Sequence, residues 1–398
     1  MRYIPRALES RLRAAAKAFP AIILTGPRRA GKTSLLKRAV TAGSYSLFED
    51  PEVVGRFRAD PRAFLDALAL PAVLDEVQNV PEIFAHVRAR IDAAPRRSGR
   101  WFLTGSQEAP LMRHVTESMA GRAAVLHLWP LSASETPKVT LLTGGYPEVL
   151  ARPKEASLWF SSYVRTFLER DVRAITMVQD LSLFRRFLSV LATRHGQVLN
   201  KSDIAAPLGM SVPGIGRWLD VLEATGQVLI VQPWYENAGK RLLKAPKVYI
   251  ADSGLACHLL GIETADELAR SPFRGSLFEG LIASEVAKAQ ENAGLRREIY
   301  YFRDRSGLEV DFVLPAPGGR MRLVEVKASA TVKSEMAAPM RRVADALVAH
   351  FPGRGEPEMF VVHEHSRTGA DTRAVAPGVV ALPWRDFVME ILPTGRSR

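Results

Sequence analysis

A single cysteine, Cys257, occurs among the 398 residues of the chain. One cysteine cannot build a disulfide framework or a cysteine-based zinc site, and such scarcity is typical of a reducing cytoplasm. The amino-terminal residues lack the apolar core of a signal peptide, and no apolar run approaches the roughly 20 residues of a membrane span. Internal repeats and low-complexity tracts are also missing. The sequence therefore predicts a cytoplasmic protein that does not cross a membrane.

Acidic residues are fewer than basic ones: the chain has 42 Asp and Glu against 54 Lys and Arg, a formal charge of +12. An excess of positive charge favours a polyanionic partner, with DNA or another nucleic acid first. A codon bias towards Arg and Ala is the alternative explanation of the same excess. Charge alone therefore does not identify the partner. The length of 398 residues leaves room for two to four domains.

Residues 26–33 read Gly-Pro-Arg-Arg-Ala-Gly-Lys-Thr, a complete G-x-x-x-x-G-K-T phosphate loop. The apolar run 21–24 before it predicts a buried strand, and residues 33–40 after it predict a helix. Backbone N–H groups of such a loop point at phosphate oxygens, helped by the helix N-terminus. Lys32 is expected to reach the β- and γ-phosphates of ATP, and Thr33 to ligate Mg²⁺. The predicted ATP-binding residues are Gly26, Pro27, Arg28, Arg29, Ala30, Gly31, Lys32, Thr33, Ser34 and Ser106.

The run Ala72-Val73-Leu74-Asp75-Glu76 is an apolar strand that ends in two acids. Asp75 is expected to hold the Mg²⁺ shell and Glu76 to polarise the attacking water. Residues 101–106 predict another strand, which ends in small hydroxyls and places Thr104 or Ser106 near the γ-phosphate. Strands at 45–48 and 125–128 complete an α/β pattern that predicts a parallel sheet with helices on both faces.

The ordered motifs GPRRAGKTSLL, VLDEVQ, LTGSQ, SMAGR and GGYPEVL resemble a bacterial and archaeal group of AAA+ ATPases. In that group the ATPase is joined to a carboxyl-terminal domain of unknown function with restriction-endonuclease-like motifs. The resemblance covers nearly the whole chain and implies a homo-oligomeric ring or partial ring. It also implies that an arginine from a neighbouring subunit completes each ATP site. Arg122 is the first candidate for this catalytic arginine and Arg113 the second.

A helical region with apolar residues at helical spacing, roughly 155–195, follows a turn at 144–148. In a AAA+ protein this region is the place for a helical lid, from which Arg170 and Arg173 could reach the nucleotide. An exposed, salt-bridged helix face is the more ordinary interpretation of these two arginines. The predicted domains are the ATPase core at 1–135, the lid at 136–195, and two further domains at 196–252 and 253–398.

Residues 198–251 show a helix, a turn, a second helix and two strands, which is the order of a winged helix. Ser202 is expected to cap the first helix and Ser211 the second. Arg217 on the second helix could reach a groove of DNA, and Lys240, Arg241 and Lys244 on the wing suit phosphate contacts. Packing against protein without any DNA contact is the alternative.

Three separated features of residues 253–398 fit a restriction-endonuclease-like α/β fold. Glu279 lies on an apolar helix, Asp311 ends a strand-like run, and Glu325 and Lys327 share one face of another strand. Asp311 and Glu325 would hold Mg²⁺, and Lys327 would orient or deprotonate water. An ordinary strand pair with exposed salt bridges is the alternative, and nuclease activity stays open. His363 and His365 are interpreted as surface-loop histidines.

The leading functional interpretation is an ATP-hydrolysing AAA+ protein that uses Mg²⁺ and acts on DNA. Its action could be binding, remodelling or translocation on duplex or branched DNA in recombination or repair. The alternative is a nucleotide-switched regulator or protein-remodelling ATPase whose nuclease fold is vestigial. Affinity for DNA that falls steeply with salt favours the first interpretation.

Overall fold

The computed structural model describes residues 3–105, 118–168, 181–234, 245–329, 332–350, 353, 355–364 and 374–393. Five parallel strands form the first sheet: β1 (Ala21–Thr25), β2 (Ser44–Leu47), β3 (Ala72–Asp75), β4 (Trp101–Thr104) and β5 (Ala123–His127). Their spatial order is β2-β3-β4-β1-β5. The helices of this part are α1 (Glu9–Ala18), α2 (Lys32–Ala39), α3 (Pro51–Ala59), α4 (Pro61–Asp66) and α5 (Ile83–Ala93).

Strands β1, β3 and β4 are buried along their whole length because helices cover both faces of the sheet. Ile23 and Leu74 pack in one cluster together with Phe84 of α5. Ile22 and Leu24 point the other way and pack with residues of α1 and α2. The predicted parallel sheet of a P-loop core is confirmed.

The middle of the chain is helical and then forms a hairpin. The helices are α6 (Pro147–Ala151), α7 (Ala156–Tyr163), α8 (Leu181–Thr193), α9 (Lys201–Ala205) and α10 (Val212–Ala224). The strands are β6 (Gln197–Val198), β7 (Val228–Pro233) and β8 (Lys247–Ile250), and β8 pairs antiparallel with both β6 and β7. Ser211 caps α10 as expected, whereas the cap of α9 is Asn200, whose side chain accepts a hydrogen bond from the Ser202 backbone.

Six further strands follow: β9 (Tyr300–Arg303), β10 (Glu309–Pro315), β11 (Met321–Lys327), β12 (Glu358–His363), β13 (Ala374–Ala376) and β14 (Val379–Pro383). They join the earlier hairpin in one nine-stranded sheet of order β13-β14-β12-β11-β10-β9-β7-β8-β6. The junction is the parallel pair β7 and β9, where Gln232 lies opposite Tyr300. This sheet crosses the boundary expected at 252/253, and the four domain limits stay predictions.

The carboxyl-terminal helices are α11 (Ser253–Leu259), α12 (Ala265–Arg270), α13 (Arg274–Asn292), α14 (Ala338–His350) and α15 (Trp384–Asp386). Helix α13 packs against β8, β11 and α11 and is buried over most of its circumference. Phe187, Trp218 and Phe278 belong to one hydrophobic cluster, so the middle and carboxyl-terminal parts share a core. In the part of the chain described here, no helix is both long enough and apolar enough to cross a membrane.

Candidate functional site

The phosphate loop, residues 26–33, lies between the end of β1 and the start of α2. Gly26 and Gly31 have φ of +130° and +100°, values that side chains with a Cβ rarely adopt. A Cβ on Gly26 would also collide with the backbone oxygen of Leu128. The Lys32 ammonium donates to the carbonyls of Gly26 and Pro27 at 2.8 and 2.9 Å. The loop therefore curls tightly around the one lysine that is expected to meet phosphate.

Asp75, at the end of β3, is hydrogen-bonded to the phosphate loop. The Thr33 hydroxyl donates to Asp75 Oδ2 at 2.8 Å, and the Tyr45 hydroxyl donates to the same oxygen at 2.6 Å. Thr104 donates to the other carboxylate oxygen, and Asp75 is only 1% exposed. A hydroxyl beside a buried carboxylate is a donor set that suits Mg²⁺, which prefers oxygen ligands.

Glu76 follows Asp75 at the carboxyl end of β3 and has φ of +60°, a left-handed conformation that is uncommon for a residue with a side chain. Such conformations cost roughly 1–3 kcal/mol and concentrate at functional sites. Its backbone N–H donates to the Thr104 hydroxyl at 3.1 Å, and Gln78 donates to its carboxylate at 2.5 Å. Of the two hydroxyl residues expected near the γ-phosphate, Thr104 lies at the site, whereas Ser106 lies outside the described residues.

Two cavities meet at the phosphate loop and have Gly31, Ser34, Pro147 and Glu148 in common. One, of about 370 Å³, is polar and contains Lys32, Thr33, Tyr45, Asp75 and Glu76. The other, of about 590 Å³, has an apolar wall formed by Tyr3, Ile4, Leu131, Pro147 and Ala151. The loop thus lies between a space that contains Asp75 and Glu76 and a larger space of mixed polarity with one apolar wall.

Arg6 holds the phosphate loop in place through hydrogen bonds. The sequence did not indicate this role, because no motif marks the residue. Its guanidinium donates to Ala30 O at 2.7 Å and to Trp129 O at 2.6 Å. It also forms an ion pair with Glu135 at 3.0 Å, in which both side chains are at most 5% exposed. The Trp129 indole in turn donates to Glu291 of α13 at 2.7 Å. A chain of direct contacts therefore runs from the phosphate loop to the carboxyl-terminal part.

Arg122 precedes β5 at the amino-terminal edge of the sheet, where its carbonyl accepts a hydrogen bond from Ala21. Its guanidinium binds Asp92 at 2.6 and 3.2 Å. The phosphate loop lies at the other edge, at the far end of β1, about 16 Å away for five residues of strand. Arg122 therefore faces away from the ATP site of its own subunit. Arg113 lies outside the described residues.

Among the predicted DNA contacts, Arg217 is described and its side chain is exposed on α10. Lys240, Arg241 and Lys244 lie outside the described residues, as do the lid arginines Arg170 and Arg173. The turn after α10 touches the phosphate loop, since a Cβ on Gly226 would lie 3.0 Å from Pro27 Cγ. The turn that follows the second helix thus packs against the phosphate loop.

Asp311 and Glu325 lie on the neighbouring antiparallel strands β10 and β11, as the sequence predicted. Asp311 Oδ2 accepts a hydrogen bond from the Val326 backbone at 2.8 Å. Glu325 is 6% exposed; its Oε1 accepts from Lys327 at 2.5 Å, and its buried Oε2 has no hydrogen-bond partner among the described residues. The pair therefore leaves one buried carboxylate oxygen for a ligand.

Glu279 of α13 completes this group and is held by two residues that the sequence did not indicate. Lys247 and Tyr249 of β8 both donate to Glu279 Oε1, at 2.9 and 2.5 Å. Burial, and after it the negative charge of Asp311, raises the pKa of Glu279 and of Glu325 to about 7. The negative charge of Asp311 therefore acts on both glutamates.

The charge state of Lys327 decides between the two roles expected for it. Burial lowers the pKa of Lys327, but the carboxylates of Glu325 and Asp311 outweigh burial and raise it overall. A lysine that keeps its proton cannot serve as the base, so the structure favours an orienting role. His363 ends strand β12 beside Lys327, so the loop placement expected for it was wrong. His365 lies outside the described residues.

Within the described residues, no group of three or more His, Cys, Asp or Glu side chains is arranged to hold a metal ion. Asp311 and Glu325 on the paired strands are two candidate carboxylate ligands. Mg²⁺ tolerates this because it keeps several waters and is often held by one or two carboxylates together with substrate phosphates.

Successive parts of the chain match three families. Residues 18–136 match the family described as AAA domain, residues 135–266 a domain of unknown function, DUF8612, and residues 274–379 another, DUF4143. The uncharacterized proteins Rv2008c of Mycobacterium tuberculosis and Mb2031c of Mycobacterium bovis are each 32% identical over 329 residues, or 81% of this chain and 73% of each relative. The Walker-type ATPase PABY2304 of Pyrococcus abyssi aligns at 18% identity with a TM-score of 0.41, covering 65% of this chain and 96% of its own.

Proposed function

We propose that this chain, which belongs to the same protein family as the two mycobacterial relatives, hydrolyses ATP in its AAA domain and acts on DNA. The match of residues 18–136 confirms the predicted P-loop ATPase core. Action on DNA, the winged helix, the nuclease-like domain and the ring remain proposals.

One observation carries the ATPase assignment: the 2.8 Å hydrogen bond from Thr33 in the phosphate loop to Asp75 at the end of β3. It brings the helix N-terminus, a lysine and a carboxylate pair to one edge of a parallel sheet. Thr33 and Asp75 would hold Mg²⁺, which supplies positive charge to the β- and γ-phosphates. Glu76, fixed by Gln78 and the Thr104 hydroxyl, would accept a proton from the attacking water.

The two cavities beside the loop support one orientation of ATP. The γ-phosphate belongs in the polar cavity with Asp75 and Glu76, because the carboxylates there can act on metal and water. The adenine base then extends into the larger cavity, against its apolar wall beside Tyr3 and Ile4. Tyr3→Ala should weaken ATP binding but leave binding of inorganic tripolyphosphate unchanged, whereas Lys32→Ala should lose both. Equal weakening of the two ligands by Tyr3→Ala would contradict this orientation.

Separate assays of binding and turnover test the catalytic assignment. Lys32→Ala should abolish nucleotide binding, because it removes the charge opposite the β- and γ-phosphates. Glu76→Gln should bind ATP as the wild type does but hydrolyse it at least about 100-fold more slowly, since general-base catalysis is lost. Full turnover in Glu76→Gln would exclude Glu76 as the activating base.

Three features support action on DNA. The helix-turn-helix α9–α10 is followed by an antiparallel hairpin, Arg217 is exposed on α10, and the chain carries a formal charge of +12. The contact of Gly226 with Pro27 offers a direct path from the phosphate loop to that helix pair. If several phosphates are contacted, DNA affinity should fall by about 10³ or more between 50 and 200 mM salt. Affinity that ignores salt would favour the regulator or protein-remodelling alternative.

The carboxyl-terminal site is proposed to bind a divalent cation at the DNA backbone. The buried Oε2 of Glu325 and the adjacent Asp311 supply the oxygen ligands, and a charged Lys327 would orient water or stabilise phosphate charge. Metal-dependent nicking that disappears in Asp311→Asn, with ATP turnover retained, would establish a nuclease. Unchanged DNA affinity and salt dependence in Asp311→Asn, together with no nicking by the wild type, would leave only a structural strand pair.

A further inference from the structure

The phosphate loop carries a buried arginine in addition to Lys32. Arg28 is only 6% exposed, whereas the side chain of the next residue, Arg29, is 56% exposed. Both arginines line the polar cavity of about 370 Å³ that also contains Lys32. A buried charge is costly unless it meets a partner, so the surroundings of Arg28 indicate what its guanidinium can do.

Arg28 points towards the acidic side of this cavity. Its Nη1 lies 3.6 Å from Glu49 Oε1. Glu49 follows β2, and the residue before it, Phe48, donates its backbone N–H to the carbonyl of Asp75 at 2.9 Å. The guanidinium therefore lies at the carboxyl ends of β2 and β3, on the side of the cavity that holds Asp75 and Glu76.

Three carboxylates act on this side of the cavity. Burial and the hydrogen bond to Asp75 raise the pKa of Tyr45, and the negative charges of Glu76 and Glu49 raise the same pKa further. A γ-phosphate in this space brings additional negative charge, and like charges repel more strongly in a site of low dielectric constant. Lys32 and Mg²⁺ offset part of this repulsion, and a guanidinium beside Glu49 can offset more.

The ion pair of Arg28 with Glu49 can be exchanged for a contact with phosphate. Its 3.6 Å separation exceeds the roughly 2.7–2.9 Å of a charge-assisted hydrogen bond. The Glu49 side chain is 46% exposed, so water can solvate this carboxylate when the guanidinium leaves it. The planar guanidinium group can donate to two phosphate oxygens at once, which the ammonium of a lysine does not match.

We propose that Arg28 is a catalytic residue that binds the γ-phosphate of ATP in its own subunit and stabilises the charge of the transferring phosphoryl group. In hydrolysis the water oxygen bonds to the γ-phosphorus and Glu76 accepts a water proton. The bond from the γ-phosphorus to the bridging oxygen breaks, and its electron pair passes to ADP. Arg28 leaves Glu49 and donates to the γ-phosphate oxygens during this step. The inference rests on the proposed ATP hydrolysis and is independent of whether a neighbouring subunit also supplies Arg122.

Variants of the full-length chain test the proposal by ATP turnover, by ATP affinity in a fluorescence titration, and by trapping of ADP with Mg²⁺ and aluminium fluoride, a mimic of the transferring phosphoryl group. Arg28→Ala should hydrolyse ATP at least about 10³-fold more slowly and fail to trap the mimic, because an arginine on the transferring group contributes about that much to kcat. Its ATP affinity should fall far less, since the contact strengthens in the transition state. Arg58→Ala, which breaks an exposed pair with Glu82, is the control and should resemble the wild type.

Glu49→Gln separates catalysis from a structural tie between the phosphate loop and β2. This variant and Arg28→Ala break the same ion pair, so a purely structural role predicts that both are impaired alike. The proposal predicts instead that Glu49→Gln keeps turnover and trapping and binds ATP at least as tightly, because a competing carboxylate charge is removed. Equal losses in the two variants would overturn the proposal.

The outcomes also separate this inference from the proposed ATP hydrolysis. A wild type that does not hydrolyse ATP would overturn both together. An active wild type beside a folded Arg28→Ala with undiminished turnover and trapping would overturn the inference alone. If Arg28→Ala does not fold, Arg28→Lys decides, because lysine keeps the charge but not the forked geometry. A lower kcat at similar ATP affinity in Arg28→Lys supports the proposal, and an unchanged kcat contradicts it.

Discussion

Arg6→Ala should destabilise the ATPase domain far more than the loss of an ordinary surface arginine. The substitution removes hydrogen bonds to Ala30 O and Trp129 O and breaks a buried ion pair with Glu135. Glu135 still accepts hydrogen bonds from the backbone of Ala7 and Ser132, at 2.7 and 2.8 Å, so its charge is not left entirely unpaired. Breaking a buried pair costs about 3–5 kcal/mol, and the remaining bonds to Glu135 favour the lower end of that range.

Thermal unfolding measures the effect directly. For a domain of this size, about 3 kcal/mol in the free energy of unfolding corresponds to a fall in Tm of about 6–12 °C. Arg13→Ala is the matched control, because its ion pair with Glu9 is exposed and exposed pairs contribute at most about 1 kcal/mol. Arg6→Lys should lie between the two, since lysine keeps the charge but not the forked geometry. Equal Tm values for Arg6→Ala and Arg13→Ala would refute the role assigned to Arg6.

The remaining predictions concern the loop, assembly and pH. Gly26→Ala should lose ATP binding in a fluorescence titration, because a Cβ there collides with Leu128 and forces the loop open; normal affinity would disprove the collision. Arg122→Ala should bind ATP but hydrolyse it slowly, and mixing it with Lys32→Ala should restore some turnover if Arg122 acts on a neighbouring subunit; no recovery in mixed oligomers would exclude that action. Burial raises the pKa of Glu279 and Glu325 to about 7 in the folded protein, above the ordinary value of 4.5 for glutamic acid, so the stability they contribute is complete at low pH and is lost as pH rises through 7. In the presence of a chelator, Tm should therefore fall between about pH 5 and pH 8, and this dependence should be smaller in a Glu279→Gln, Glu325→Gln double variant.

Local patterns in the sequence predicted the ATP site because its parts obey short-range rules. The phosphate loop is contiguous, and the acids Asp75 and Glu76 follow an apolar strand whose carboxyl end must lie beside that of β1 in a parallel sheet. The β10–β11 pair was likewise predictable from alternation, which places Glu325 and Lys327 on one face.

Long-range contacts were not predictable from those patterns. Arg6 lies 129 residues from Glu135 in the chain, and Lys247 lies 32 residues from Glu279, so no spacing rule connects them. The parallel pairing of β7 with β9, which merges the hairpin with the carboxyl-terminal sheet, joins residues as distant in the chain as Gln232 and Tyr300. The sequence Lys247-Val248-Tyr249-Ile250 did offer one signal for the contact with Glu279, namely a lysine in an otherwise apolar strand. Such a lysine needs a charged partner if the strand is buried.

Steady-state ATP hydrolysis with and without DNA tests the central claim, that ATP turnover in the AAA domain serves action on DNA. We expect the purified protein to hydrolyse ATP faster when linear, single-stranded or branched DNA is added, and we expect Glu76→Gln to remain inactive in every case. Stimulation should diminish as salt is raised, because counterion release drives the binding of basic groups to phosphates. Turnover that no form of DNA changes would contradict the account and favour a nucleotide-switched regulator of another partner.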